Sequence, residues 1–395
     1  MNKVEIKELR GEDVDPILEL AFYAFFPTPG NIEQIMKRKP YMKEDTCLVL
    51  YENEKPVSGL ICKPIPQNVR GVLKDMCGIS EVATNPEGRR KGYAKKLMKL
   101  SFEKMREFNQ GFSTLYPFKE SFYERLGYVS FPQIRTAIIS AKSLVPMLDL
   151  KLNGTVERMD FDEGFESYKN FLKEIRLSIH GMGVLHDAEL ERYKDEKKLW
   201  VVIAKEGNET IGIMTYTITG FWKDARVRDF YYKNSLAKYL FLQWFAIHAD
   251  QIKNVHIPIK PDEFPETWFN DTFWGESGKI QSRDWVPSCM GRVVIVEALN
   301  GINVGQGQIK IKVTDEHCEW NNKNYNFEGK EGKLSVEESP DYECELTIQA
   351  LSAVIYGCYN LDDFVYKGWA KLSEENKEKI KNLFPKISPF LHADF

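Results

Sequence analysis

The chain has 395 residues, of which 43% are hydrophobic and 28% are charged, and its formal net charge is −4 at pH 7. At about 150 residues per domain, this length predicts two or three domains of ordinary globular composition. The slight negative charge argues against a nucleic-acid binder that neutralises phosphates, and no apolar run approaches the length that spans a bilayer.

The seven cysteines are dispersed and form no C-x-x-C pair or Cys/His cluster. We therefore expect reduced thiols, a cytoplasmic location and no metal site. The N-terminus alternates charged and apolar residues and lacks the apolar core of a signal peptide. His180 and His186 flank a Gly-Met-Gly stretch in a predicted loop, where we do not expect metal ligation.

The first 132 residues predict an α/β domain. A strand at 4–7 precedes helices at 15–23 and about 32–38, and short strands follow at 46–52, 57–64 and 71–79. The apolar stretch 79–84 is typical of a strand, and a short basic loop connects it to an amphipathic helix.

This loop reads Arg89-x-x-Gly92-x-Ala94. A helix N-terminus presents unpaired N–H groups and a partial positive charge, so such a loop can hold a pyrophosphate. Small residues allow close backbone approach, and guanidinium groups add charge-assisted hydrogen bonds. The alternative is a basic loop that is merely solvated.

A second segment follows in a matching context. Residues 114–118 predict a strand that ends near a proline, and Phe-Tyr-x-Arg-Leu-Gly-Tyr at 122–128 predicts a short helix closed by glycine. The two segments resemble motifs A and B of the GCN5-related N-acetyltransferases (GNATs). In that family Arg/Gln-x-x-Gly-x-Gly/Ala binds the pyrophosphate of acetyl-CoA.

Residues 133–285 show a similar but less distinct order of predicted strands and helices. We predict a helix at 165–179, strands at 199–204, 210–217 and 225–232, and a helix at 235–248 with Asn234 or Ser235 as N-cap. Lys233-Asn234-Ser235 stands where Arg-x-x-Gly-x-Ala would be expected. The interpretation is a degenerate GNAT fold that no longer holds CoA, and the alternative is an unrelated α/β domain.

From residue 286 the chain is rich in short strands, predicted at 290–297, 309–313, 318–321 and 333–336. A strand at 343–348, a helix at 350–358, a segment at 361–367 and a helix at 373–383 complete it. This pattern resembles the sterol-carrier-protein-like domain. The predicted fold class is thus α/β (α+β), with tandem GNAT folds over 1–132 and 133–285, the second degenerate, and a sterol-carrier-protein-like α+β domain over 286–395.

This architecture resembles the Eis-type (enhanced intracellular survival) acetyltransferases over essentially the whole chain. The resemblance implies acetyl-CoA as co-substrate, no metal, and acetylation of amines of aminoglycoside-like polyamines. It also implies a homo-oligomer, commonly a hexamer. We expect a small-molecule amine as acceptor and no nucleic-acid or membrane partner. The alternatives are acetylation of protein lysines or small polyamines, or a non-enzymatic protein that binds lipid or another apolar ligand.

The resemblance also implies roles for individual residues. The pantetheine arm would pair with the backbone near Val82, Ala83 and Thr84, where an N–H would also steady the oxyanion. The pyrophosphate would be held by Arg89, Arg90, Gly92, Tyr93 and Ala94. Since no cysteine falls in either motif, we expect direct transfer without an acyl-enzyme.

Tyr123 lies where these enzymes keep their general acid, and a phenol with a pKa near 10 can protonate a departing thiolate. The alternative is a core aromatic residue. The base would be the C-terminal carboxylate of Phe395, whose pKa near 3.5 could rise in a pocket. The alternative is a frayed terminus. Acceptor contacts are expected from Phe22, Phe25, Phe26, Glu33 and Asp394.

Overall fold

The computed structural model describes residues 3–25, 30, 32–268, 277–282, 287–392 and 395. The chain divides into two compact units. The first contains Met1–Phe131, Ile179–Arg192 and Ser288–Phe395, and the second contains Pro132–Ser178 and Tyr193–Pro287. The N-terminal and C-terminal parts of the chain therefore belong to one unit.

The N-terminal part of the first unit has the predicted order of elements. Its strands are β1 (Val4–Leu9), β2 (Thr46–Glu52), β3 (Lys55–Val69), β4 (Val72–Thr84), β5 (Phe112–Leu115) and β6 (Val129–Ser130). Its helices are α1 (Asp15–Phe25), α2 (Glu33–Met36), α3 (Tyr93–Glu107) and α4 (Glu120–Glu124). The strands β3 and β4 are longer than predicted because their pairing continues to a two-residue turn. Arg70 and Gly71 form it with φ of +49° and +80°, as a type I′ hairpin turn requires.

The second unit contains one sheet and three long helices. Its strands are β7 (Arg135–Ser140), β8 (Thr155–Asp160), β9 (Trp200–Glu206), β10 (Glu209–Ile218), β11 (Ala225–Tyr232), β12 (Asn254–Ile259) and β13 (Gly278–Ser282), and its helices are α5 (Phe161–Ile175), α6 (Asp187–Glu196) and α7 (Ser235–Ile247). The end of α6 belongs to this unit and its start to the first. Parallel β11 and β12 flank α7, as parallel β4 and β5 flank α3. Asn234 is the N-cap of α7, since its side chain accepts a hydrogen bond from the Ala237 N–H at 3.1 Å.

The C-terminal part of the first unit begins with β14 (Met290–Val293). It continues with β15 (Gly307–Thr314), β16 (Asn324–Lys330), β17 (Lys333–Glu338), β18 (Cys344–Thr347) and β19 (Ala370–Lys371), and with helices α8 (Ile348–Tyr356), α9 (Asp363–Tyr366) and α10 (Glu374–Leu383). The strand predicted at 318–321 is wrong. The Asp315 carboxylate accepts hydrogen bonds from the N–H groups of His317 and Cys318, and this turn leads into a 3-10 helix instead.

The strand β14 does not join the C-terminal sheet, which has the order β17-β16-β15-β18-β19. It lies between β5 and β6 and completes the N-terminal sheet, whose order is β1-β2-β3-β4-β5-β14-β6. The predicted strand at 290–297 is also shorter, because a 3-10 helix begins at Val296. Helix α1 packs on one face of this sheet, and α3 with α4 packs on the other.

The seven cysteines are free thiols. Within the described part of the chain there is no helix whose length and apolar character would let it cross a membrane.

A buried ion pair holds β14 in place. The Arg292 side chain is fully buried and contacts Asp315 at 2.6 Å. Its guanidinium also donates to the carbonyl of Leu126, just after α4, and lies over the Phe102 ring of α3 at 4.3 Å from the centroid. One side chain thereby connects β14, α3, the end of α4 and the C-terminal domain.

We predict that Arg292→Met lowers the free energy of unfolding by about 3–5 kcal/mol, because it leaves the Asp315 carboxylate buried without its partner. Denaturant unfolding followed by tryptophan fluorescence measures the loss. The control is Lys381→Met, which removes an exposed pair with Glu378 and should leave the unfolding midpoint unchanged. Equal midpoints for the two variants would contradict this role for Arg292.

Candidate active site

A bulge interrupts β4 near its C-terminal end. Between two pairs of the ladder, Ser80 with Ile61 and Ala83 with Gly59, β4 has one residue more than β3. Glu81 lies at this irregularity with φ of +50°, a left-handed conformation that few non-glycine residues adopt. Such a bulge bends the strand and increases its twist.

The bulge accompanies a separation of the two parallel strands. Residues 76–79 of β4 pair with residues 112–115 of β5, and the pairing ends there. Farther along, β4 pairs only with β3 among the described strands, so one edge of the segment that contains Val82, Ala83 and Thr84 is open. An extended ligand can form hydrogen bonds with such an edge as an added strand does.

The basic loop leads from this open edge to α3. Arg89 and Arg90 are exposed, and the Arg89 Nε–H donates to the carbonyl of Thr84 at 3.3 Å. Lys91 pairs with Glu52 at 2.7 Å, so the charge that the loop offers to a ligand comes from the two arginines.

Gly92 gives the N-terminus of α3 its shape. It is the N-cap residue, has φ of +77° and makes no side-chain cap, so the first N–H groups of the helix, from Tyr93 onward, remain available. A Cβ at position 92 would meet no atom within 4 Å, so the space beside the loop is open. An uncapped helix of 15 residues with two exposed arginines beside it fits the pyrophosphate of acetyl-CoA, and the open edge of β4 fits its pantetheine arm.

Tyr123 lies on α4 in an apolar aromatic cluster. Only 1% of its surface is exposed, and its ring makes edge contacts with Phe118, Phe122 and Tyr128. Burial raises the pKa of the Tyr123 phenol, so this group is protonated at neutral pH. At neutral pH the Tyr123 side chain therefore cannot act as a base. Tyr128 differs, because its hydroxyl is engaged with Ser113 Oγ at 2.7 Å.

The C-terminal residue lies at the same strands. The Phe395 ring is half-buried and makes an edge contact with Tyr116 at 6.0 Å between centroids. It also lies directly over Gly78 of β4, where a Cβ would come within 2.8 Å of two ring atoms. Position 78 must therefore be glycine for the ring to lie there, and the terminus is packed against the paired part of β4 and β5.

The residues expected to contact the acceptor differ from one another in how far they are exposed. Phe22 packs partly against the core beneath α1, whereas Phe25 is half exposed and Glu33 on α2 is exposed. Phe26 and Asp394 lie outside the described residues.

Two residues of the site did not emerge from the sequence. Glu81 at the bulge is half-buried and pairs with Arg38 at 2.6 Å, which puts a carboxylate beside the open edge. Gly78 provides the room for the Phe395 ring. A glycine inside an apolar strand is a known sign of close approach by another group, so the signal for Gly78 was present.

Asp45, His186 and Glu189 form the cluster with cation-ligand geometry among the described residues, with their ligand atoms within 4.8 Å of one another. Lys63 already occupies it, with its ammonium at 2.7 Å from Asp45 and 2.5 Å from Glu189. Arg192 adds a second positive charge at 2.7 Å from Glu189. Two cations balance two carboxylates here, so a divalent ion would add excess charge.

Comparison with known proteins agrees with this geometry. Residues 5–130 match the acetyltransferase (GNAT) domain family, and residues 295–392 match the sterol carrier protein domain family. No curated protein matches the chain in sequence.

Several solved structures share the fold along the whole chain. A protein of unknown function from Enterococcus faecalis, a probable N-acyltransferase, is 18% identical with a TM-score of 0.84, and 100% of each chain is covered. A GCN5-related N-acetyltransferase from Anabaena variabilis is 19% identical with a TM-score of 0.85, again over 100% of both chains. Eis1 from Mycobacterium abscessus is 15% identical with a TM-score of 0.79 and the same coverage. The predicted resemblance to Eis-type proteins is thereby confirmed as a likeness of fold along the whole chain.

We predict that Gly92→Ala weakens acetyl-CoA binding at least tenfold, because a side chain at a left-handed position distorts the loop that presents the N–H groups. The strain also costs about 1–2 kcal/mol of stability. The control is Gly332→Ala, which has the same φ of +77° and the same open surroundings in a hairpin remote from the loop. Isothermal titration with CoA measures both. Similar affinities for the two variants would show that the loop does not bind the cofactor.

Proposed function

We propose that this chain, in which residues 5–130 match the acetyltransferase (GNAT) domain family and residues 295–392 match the sterol carrier protein domain family, acetylates amines of aminoglycoside-like polyamines by direct attack on acetyl-CoA. One observation carries the proposal: the ring of the terminal Phe395 packs on Gly78, which brings the end of the chain to the strands that separate at the bulge. The non-enzymatic alternative is set aside, since the N-terminal domain is an acetyltransferase.

The two sides of the site have different roles in this proposal. Acetyl-CoA supplies the acetyl group as a thioester. Arg89, Arg90 and the N–H groups that follow Gly92 bind its pyrophosphate, and the backbone from Val82 to Thr84 orients the arm that carries the thioester. A backbone N–H near Val82 donates to the thioester carbonyl oxygen as negative charge develops there.

Proton transfer involves one group on each side of the reacting carbon. The Phe395 carboxylate takes a proton from the acceptor ammonium through a water molecule, so the amine can form the new C–N bond. The C–S bond then breaks, the Tyr123 hydroxyl gives its proton to the departing thiolate, and Tyr123 regains a proton from the one that the acylated nitrogen releases. The acceptor would be held by a cation–π contact with Phe25 and by attraction of its ammonium groups to the carboxylate of Glu33. As part of the proposal, the protein is a cytoplasmic homo-oligomer, and light scattering would count its subunits.

Acetyl transfer to a panel of acceptors tests the substrate class. We expect the protein to release CoA when aminoglycosides are the acceptors and to release little with lysine peptides of the same charge. Titration of the free CoA thiol measures the release. Transfer to the peptides alone would select the protein-lysine alternative. Transfer to short linear polyamines alone would select small polyamines and would exclude aminoglycosides as substrates.

We predict that Tyr123→Phe lowers kcat about 10²–10⁴-fold, the usual contribution of a positioned acid. The affinity for acetyl-CoA should stay unchanged, because the ring and its contacts remain. The control is Tyr128→Phe, which removes a hydroxyl already engaged with Ser113. If both variants keep full kcat, Tyr123 is a core residue and nothing more.

The base is tested by changing the terminus without changing the fold. Adding two glycines after Phe395 keeps its ring but converts its carboxylate into a peptide bond, and kcat should fall about 10²-fold or more. Gly78→Ala should lower kcat as well, because the Cβ would displace the Phe395 ring from its place on β4. Undiminished kcat in the extended protein would rule out the Phe395 carboxylate as base.

A further inference from the structure

The tail that leads to Phe395 is held at its start by buried polar groups. After α10, the Arg70 guanidinium donates to the carbonyl of Pro385 at 3.0 Å and to the carbonyls of Val354 and Ile355 at 2.8 and 2.7 Å. Gly357 leaves room for Ile387, whose backbone nitrogen lies 2.9 Å from where a Cβ would be. These contacts fix the first residues of the tail on α8.

A second group of contacts holds the tail farther along. The carbonyl of His180 accepts a hydrogen bond from the Phe390 N–H at 2.8 Å. Gly181 has φ of +82°, and a Cβ on it would lie 2.9 Å from both the Phe390 nitrogen and a side-chain atom of Pro389. Leu391 is buried. The tail therefore contacts a short segment formed by residues 179–183.

This segment is itself fixed to the hairpin of β3. The N–H of Gly181 donates to the carbonyl of Asn68 at 2.7 Å, and the Gln67 amide donates to the carbonyl of Gly181 at 2.9 Å. The Gln67 carbonyl oxygen in turn accepts from the Tyr356 hydroxyl at 3.0 Å. Every polar atom that links hairpin, segment and α8 in this chain of contacts is buried and paired.

His180 completes the network as a neutral side chain. Its Nδ1 accepts a hydrogen bond from the Arg70 N–H at 2.9 Å, so the other nitrogen carries the proton and donates to the carbonyl of Tyr356 at 3.3 Å. Burial and the nearby Arg70 charge lower the pKa of His180 to about 3. The ring thus keeps one hydrogen-bonding pattern throughout the neutral pH range.

We propose that residues 179–183 are a positioning segment that holds the C-terminal tail, and so sets where the Phe395 carboxylate lies. The inference rests on the proposed function, since it assigns the segment to the same base. The segment belongs to Ile179–Arg192, the stretch that joins the first unit although the chain on either side of it lies in the second. The chain of the second unit would thus leave it before residue 179 and return to it after residue 192, and the stretch between them would serve the proposed catalytic terminus.

The first test is Gly181→Ala, with Gly301→Ala as control. The two glycines have φ of +82° and +81°, so both variants are strained, but a Cβ at position 301 meets no atom within 4 Å. We expect Gly181→Ala to lower kcat at least tenfold while KM for acetyl-CoA stays within twofold, and Gly301→Ala to change neither. Equal kcat for the two variants would overturn the proposal.

A second pair of variants changes a residue of the tail itself. Phe390→Pro removes the N–H that donates to His180, whereas Phe390→Ala removes the ring and keeps the N–H. We expect carboxypeptidase to release Phe395 at least tenfold faster from Phe390→Pro than from Phe390→Ala. Equal rates of release would overturn the proposal.

The two proposals fail in different ways. If extension beyond Phe395 abolishes transfer but Gly181→Ala keeps full kcat, the terminal base stands and the positioning segment is wrong. If extension has no effect on kcat, the terminal base is wrong, and the carboxypeptidase comparison alone decides whether the segment holds the tail.

Discussion

The buried pair of Arg292 and Asp315 is the constraint on which the rest of the first unit depends. A guanidinium without a partner is costly in an apolar core, so β14 and the C-terminal domain must be in place together. Since the same guanidinium reaches Leu126 beyond α4, the pair also fixes the helix that carries Tyr123. The proposed general acid, Tyr123, thus lies on a helix whose end is held by a residue of the C-terminal part of the chain.

The proposed cofactor side of the site is defined mainly by backbone conformation. Glu81, Arg90 and Gly92 all have positive φ, and the two non-glycine residues among them carry strain of about 1–3 kcal/mol each. These strained conformations accompany two features of the backbone: an open strand edge at the bulge and an uncapped helix N-terminus after the loop. Neither feature needs a side chain to bind, which is why a short motif can specify it.

Much of this could be read from the sequence, because it depends on local pattern. Strand β11 and helix α7 follow from their periods of 2 and 3.6 residues, and the loop from Arg89 to Ala94 follows from its residue types. The partners of β14 could not be predicted, because a strand of only four residues, Met-Gly-Arg-Val, carries no sign of the sheet that it joins. The bulge at Glu81 and the contact of Gly78 with Phe395 depend on register and on a pairing of distant residues, which local pattern does not contain.

The proposed acid and base differ in how they are held, and the difference follows from their chemistry. Tyr123 must keep its proton until the thiolate leaves, and a dry core that raises its pKa achieves this without any partner. A base that exchanges protons with an ammonium through water has to stay near solvent, where burial cannot fix it. A chain terminus placed there would normally fray. The contacts of Arg70, His180 and Gly181 hold the tail between Pro385 and Phe390, so that in this proposal a base near solvent is placed by the buried part of the chain that leads to it.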